Sequence, residues 1–86
     1  MIERRVTKAR KDETGQVIAV SNPVEWWSPR TAEEVMNDIE ESFYNYFIML
    51  GGKKVLLKVV NGSGEKRLRT DPSETSKNKL SELPED

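Results

Sequence analysis

The sequence predicts an α+β domain: a small antiparallel sheet with one helix packed on one face, in the order ββαββ(β), and a C-terminal arm folding back. Three observations carry the prediction. A single stretch shows helical spacing behind a start signal, two apolar runs meet at a glycine pair, and short alternating segments on either side are bounded by turn residues.

Residues 4–10 read as a first strand, with Val6, Thr7 and Ala9 set among long charged side chains, although their alternation is imperfect. "KDETGQ" supplies Asp12 and Gly15 for a hairpin turn, and "QVIAV" at 16–20 is the returning strand, paired antiparallel. "SNPVEWWSP" is a loop, since Pro23 and Pro29 interrupt hydrogen-bonded structure and push the preceding residues towards extended backbone.

The helix is placed at 31–43. Thr31 with Glu34 three residues later forms a capping box, and Glu33 and Glu34 suit the positive end of the helix dipole. Val35, Met36, Ile39 and Phe43 make one apolar stripe with Ala32 at its edge, leaving Glu33, Asn37, Asp38, Glu40 and Glu41 as an acidic outer surface.

"YNYFIML", Gly51-Gly52 and "KKVLLKVV" give the central hairpin, because two consecutive glycines accept the positive φ of a two-residue turn. "NGSG" at 61–64 turns the chain again, and "EKRLRT" is a short final strand. Both alternation sets of this hairpin are apolar, so both of its faces want cover. One helix covers one face. The other requires the "VEWW" loop, the C-terminal arm or a second copy of the chain.

In the arm, Asp71-Pro72 redirects the backbone, Ser73, Thr75 and Ser76 offer local hydrogen bonds, and Leu80 and Leu83 provide apolar anchors. The division expected is a compact domain over 1–71 and an arm over 72–86, packed back or partly disordered.

Composition narrows the chemistry. The 86 residues fit one small domain with a thin core. There is no cysteine and no histidine, which removes disulfides, thiolate sites, most zinc sites and His-based triads. No apolar run approaches a signal segment or a membrane span, so a cytoplasmic protein without membrane contact is expected. The net charge of −1 conceals blocks: residues 1–11 hold five basic and one acidic side chain, residues 12–50 one and eight, residues 51–69 six and one, and residues 70–86 two and five.

"KARKDETGQVIAV", the Trp-Ser-Pro loop, "EEVMNDIE", "NYFI" and above all "LRTDPSETSKNKLSELP" resemble a family of small bacterial proteins, Domain of Unknown Function 3892, over nearly the whole chain. Leu68, Thr70, Pro72, Thr75, Asn78, Leu80, Leu83 and Pro84 fall on the family's tail pattern, and Trp27 and Ser28 on its loop. Glu74 stands where glycine is expected, and Lys79 where a second asparagine is common. The resemblance implies that the tail belongs to the domain; it implies no activity, cofactor or catalytic residue.

No catalytic constellation is visible. Ser28, Thr70, Asp71, Thr75 and Asn78 are candidate site polars, but a nucleophilic hydroxyl needs an adjacent base and nothing in the spacing supplies one. Asp12 with Glu13, and Asp71 with Glu74, read as solvated turns rather than a metal site. "NGSGEK" lacks the glycine spacing and Lys-Ser/Thr ending of a phosphate loop.

The expectation is therefore a non-enzymatic binding or regulatory module with no cofactor, no metal and no small-molecule ligand. It acts on an unknown protein partner through Trp26, Trp27, Ser28, Arg69, Thr70, Asp71 and Asn78, or forms a homodimer through the sheet. Adjacent tryptophans in an extended stretch point to opposite sides, so one can be buried while the other stays at the surface. The alternative is a nucleic-acid-binding domain using basic strands 4–11 and 53–69, through Arg4, Arg5, Lys8, Arg10, Lys11, Lys53, Lys54, Lys58, Lys66, Arg67 and Arg69.

Overall fold

A computed structural model describes residues 2–62 and 64–85. The chain runs β1 (Ile2–Arg5), β2 (Lys8–Lys11), β3 (Val17–Ser21), β4 (Arg30–Thr31), α1 (Ala32–Glu40), β5 (Tyr44–Leu50), β6 (Lys53–Gly62) and β7 (Glu65–Thr70), with a 3₁₀ turn at Lys79–Glu82. The class is α+β, as the pattern requires, but the strands form two sheets rather than one. A four-stranded sheet is ordered β1-β5-β6-β7 and a three-stranded sheet β2-β3-β4.

The expected strand at 4–10 is two strands. Val6 N–H donates to Phe47 C=O at 2.8 Å and Thr7 N–H to Ser21 C=O at 3.0 Å, so consecutive residues pair into different sheets and the chain crosses between them there. β1 lies parallel to β5, in the register Ile2↔Tyr44 to Arg5↔Phe47, which departs from the all-antiparallel expectation. The remaining pairs are antiparallel, β5 with β6 through Phe47↔Leu56 and β6 with β7 through Leu57↔Thr70 and Val59↔Leu68. Gly51 and Gly52 both carry positive φ, +55° and +83°, the conformation for which the glycine pair was read.

The capping box is present in full: Glu34 N–H donates to Thr31 Oγ1 at 3.1 Å and Thr31 N–H to Glu34 Oε1 at 3.0 Å. The helix stops at Glu40, short of the expected 43. Ser42 adopts φ +59°, its N–H donates to Ile39 C=O, and Phe43 N–H donates to Asp38 C=O, the reversed hydrogen bonds of a Schellman C-cap. Phe43 is consequently thrown off the helix stripe and is exposed. Asp38, expected on the wet acidic surface, is buried with Ala32 and Val35.

Val6, Ala9, Val17, Val20, Trp27, Val35, Tyr46, Ile48, Val55, Leu57, Leu68 and Leu80 form one core between the two sheets and the helix. The Trp loop and the arm join the helix on this inner side. Among the described residues the opposite face of the four-stranded sheet has none buried, and its apolar members Phe47, Met49, Leu56 and Val60 are half-buried at most.

Candidate functional site

Two surfaces and two hydrogen-bonded networks account for the residues that the sequence singles out. The first network is internal. Arg4 is 5% exposed, and its guanidinium sits 3.5 Å from the Tyr44 ring centroid and 5.3–5.7 Å from those of Trp26, Trp27 and Tyr46. Its Nη1 donates to Tyr46 Oη at 2.9 Å, and Tyr46 Oη donates to Asp38 Oδ2 at 2.6 Å. Arg30 completes the set through Nε to Asp38 Oδ2 at 2.8 Å and Nη2 to Asp38 Oδ1 at 3.0 Å.

Burial alone would raise the Asp38 carboxyl. The Arg30 guanidinium and the Tyr46 hydroxyl outweigh it and hold Asp38 below the ordinary carboxylate value. Burial and the Asp38 acceptor raise Tyr46, and the hydrogen bond to Asp38 raises Arg30. Sequence reasoning missed Asp38, Arg30 and Tyr46. Arg4 must leave the list of surface cations, because it fills the aromatic box from inside.

The box explains the Trp loop. Trp27 is 6% exposed, packs edge-on to Tyr46 with centroids 5.7 Å apart, and donates from Nε1 to Glu25 at 3.2 Å. Asn22 N–H donates to Ser28 Oγ at 2.9 Å, and the Asn22 carboxamide donates to Arg5 C=O at 3.1 Å, tying the loop to the outer edge of β1. Pro29 follows a cis peptide bond. The Trp26 ring centroid comes no nearer than 5.3 Å to the Arg4 guanidinium, and Trp26 is 85% exposed, beside Val24 at 87%. Ile2 and Tyr44 continue this apolar surface, since Ile2 pairs with Tyr44, whose ring lies against the same guanidinium.

The second network is the tail. Thr70 is wholly buried, its Oγ1 lies 2.7 Å from Thr75 Oγ1, and it accepts the Lys79 N–H at 3.1 Å. Asn78 Oδ1 accepts from Thr70 N–H and Leu80 N–H at 3.2 and 3.1 Å. Arg69 donates from Nε to Thr70 C=O and from Nη2 to Thr75 C=O. Asp71 turns the chain by accepting from Ser73 N–H and Oγ, which hold its carboxyl below the ordinary value with help from Lys58 and Arg69. Glu74 needs no positive φ. Leu80 is buried in the core and Ala9 N–H donates to Pro84 C=O at 3.0 Å. Of the seven residues proposed for a partner, Trp27 and Thr70 offer almost no surface and Ser28, Arg69, Asp71 and Asn78 are engaged in holding loop or tail. Trp26 is the one presented to solvent.

The basic residues divide. The strand registers place Arg5, Lys54, Lys58, Arg67 and Arg69 on the open face of the four-stranded sheet, around Phe47 and Leu56. Lys8 and Arg10 belong to the other sheet. Lys11 donates to Ser81 C=O at 2.6 Å and faces Glu85, Lys53 pairs with Glu74, Lys66 with Glu40, and Lys54 with Glu3. Among the described residues no group of three acidic side chains is arranged to hold a metal, and no helix is long and apolar enough to cross a membrane.

The chain belongs to the family described as Protein of unknown function (DUF3892), which it matches over residues 5–84, tail included. No curated protein and no solved structure matches it.

Proposed function

We propose that this chain is a small non-enzymatic binding module that engages a protein partner through the loop bearing Val24 and Trp26. Its compartment in this reading is the cytoplasm, where a cysteine-free domain needs no oxidative step to mature. One observation carries the proposal. Trp26 stays almost fully exposed although the loop around it is anchored at Trp27, Asn22 and Ser28.

An exposed tryptophan on a mobile loop would lose much of its binding energy to ordering. Here the backbone on either side is already held through Asn22, Trp27 and Ser28, so a partner pocket meets a ring whose loop is ordered in advance. Arg69, Thr70, Asp71 and Asn78 contribute indirectly in this reading, by holding the domain closed.

The test is site-specific photo-crosslinking from position 26, with position 58 on the sheet face as control, followed by affinity measurement on the protein captured. Trp26→Ala should weaken that complex by about 2 kcal/mol, roughly thirtyfold, with little salt dependence. Crosslinks from position 58 alone, or affinity unchanged by Trp26→Ala, would refute the docking point. Sedimentation separates self-association from a foreign partner: a dimer abolished by Trp26→Ala would make a second copy the partner.

A further inference from the structure

The open face of the four-stranded sheet is a second surface, separate from the Trp26 loop, and the geometry points to single-stranded nucleic acid as its ligand. Along the outward positions the side chains are Arg5 on β1, Phe47 and Met49 on β5, Lys54, Leu56, Lys58 and Val60 on β6, and Arg67 and Arg69 on β7. Among the described residues no element covers them, and none of these side chains is buried. Apolar and cationic groups are interspersed across the strands: Arg5 stands beside Phe47, Lys54 beside Met49 and Arg67 beside Val60, while Phe47 meets Leu56 and Lys58 meets Arg69.

Charge selects the occupant. Five cations face outward against Glu3, Glu65 and Asp71, with Lys54 paired to Glu3, whereas α1 and its C-cap expose Glu33, Glu34, Glu40 and Glu41, so this face is positive although the net charge is −1. A second copy docked on the same face would set these cations against one another, which disfavours a sheet-to-sheet dimer. A polyanion neutralises them. Cross-strand spacing of about 4.8 Å and a two-residue repeat of about 6.7 Å set the cations as a lattice under an extended repeating charge. Arg69 is held by Thr70 and Thr75, so one cation is fixed in place beforehand.

The ring at the centre selects the single strand. Phe47 is half-buried with Lys54 Nζ 4.9 Å from its centroid, and the shallow face around it offers nothing that enters a duplex groove. An unpaired base can lie on that ring and on Leu56 once the exposed Lys54 side chain swings from the ring and from Glu3 to a phosphate, with Arg5, Lys58 and Arg67 reaching further phosphates, a sequence-tolerant arrangement.

The experiment is fluorescence anisotropy of the full chain with a labelled fifteen-nucleotide oligo-dT, with the matching duplex and with oligo-U, at about 50 and 200 mM salt. Binding through three to five phosphates should weaken roughly 20- to 100-fold between those salts, and the duplex should bind less well than either single strand. The double variant Lys58→Glu with Arg67→Glu should reduce affinity at least tenfold, and Phe47→Ser several-fold. Lys8→Glu with Arg10→Glu, an equal charge change on the other sheet, and Trp26→Ala should leave it within twofold. Circular dichroism verifies folding of each variant. Silence at low salt overturns the proposal, as does equal loss from the Lys8/Arg10 control, which would mean attraction to net charge alone. Oligonucleotide silence together with crosslinks from position 58 to an acidic protein would reassign the face to that partner.

Discussion

Asn78 meets Thr70 as a neighbouring strand would. Its carboxamide accepts the Thr70 N–H at 3.2 Å and donates to Leu68 C=O at 3.5 Å, covering two outward backbone groups of edge strand β7 with one side chain. At the opposite edge Asn22 does the same for Arg5 C=O. Unpaired edges invite pairing with other chains, and here each is blunted by an asparagine rather than by charge alone.

Replacing Asn78 with Ala therefore leaves the Thr70 and Leu80 N–H groups without an acceptor. The expected cost is about 2–3 kcal/mol, with amide exchange accelerated at 75–84 well before the rest of the domain opens. Leu80→Ala should cost more, about 2–5 kcal/mol, because it empties a fully buried position. Equal exchange across tail and core would contradict the lock.

The Asp38 carboxyl titrates below its unfolded value of about 3.9, so the stability it confers is present above that value and is lost as pH falls through the folded pKa. Chemical denaturation from pH 7 to pH 2 should show stability declining below about pH 4. Asp38→Asn should cost roughly 3–5 kcal/mol at neutral pH, since Arg30 and Arg4 lose their anion, and should flatten the acid limb.

At Ser42 the left-handed backbone, φ +59°, is one that glycine adopts without a Cβ penalty. Ser42→Gly should stabilise the domain by about 0.5–1 kcal/mol, measurable as a higher Tm. A loss of stability would mean that the serine hydroxyl contributes to the cap.

The two tryptophans should separate cleanly in stability. Trp27→Ala removes a buried ring from the Tyr46 contact and should cost about 3–5 kcal/mol. Trp26→Ala loses an exposed ring and part of a cation–π contact and should cost about 1 kcal/mol or less.

What the sequence made legible follows from range. The capping box, the glycine turn and the Asp71-Pro72 reversal are settled within four residues, and each forms as read. The buried Asp38 was not legible, because an aspartate beside Glu40 and Glu41 looks solvated until Arg4, Arg30 and Tyr46 arrive from other elements. The split of strand 4–10 left only a trace, the imperfect alternation around Val6 and Thr7, since opposed partners on Phe47 and Ser21 are a property of topology. Of the surface pattern, the charge blocks were visible, but only strand register sorts Arg5, Lys54, Lys58, Arg67 and Arg69 onto one face and withdraws Arg4 into the core.

The hydrogen bond from Lys11 Nζ to Ser81 C=O joins positions 70 apart in sequence. With Ala9 bonded to Pro84, it makes the second strand and the tail a clasp across most of the chain's length. Such contacts close large loops, and their entropy is lost before the contact rewards it, so they form late and slow the search for the native state. During synthesis β2 waits for residues 79–84 to emerge before its outward groups are satisfied. The outer edge of β2 is therefore open to capture by chaperones or proteases in the interval before the tail emerges.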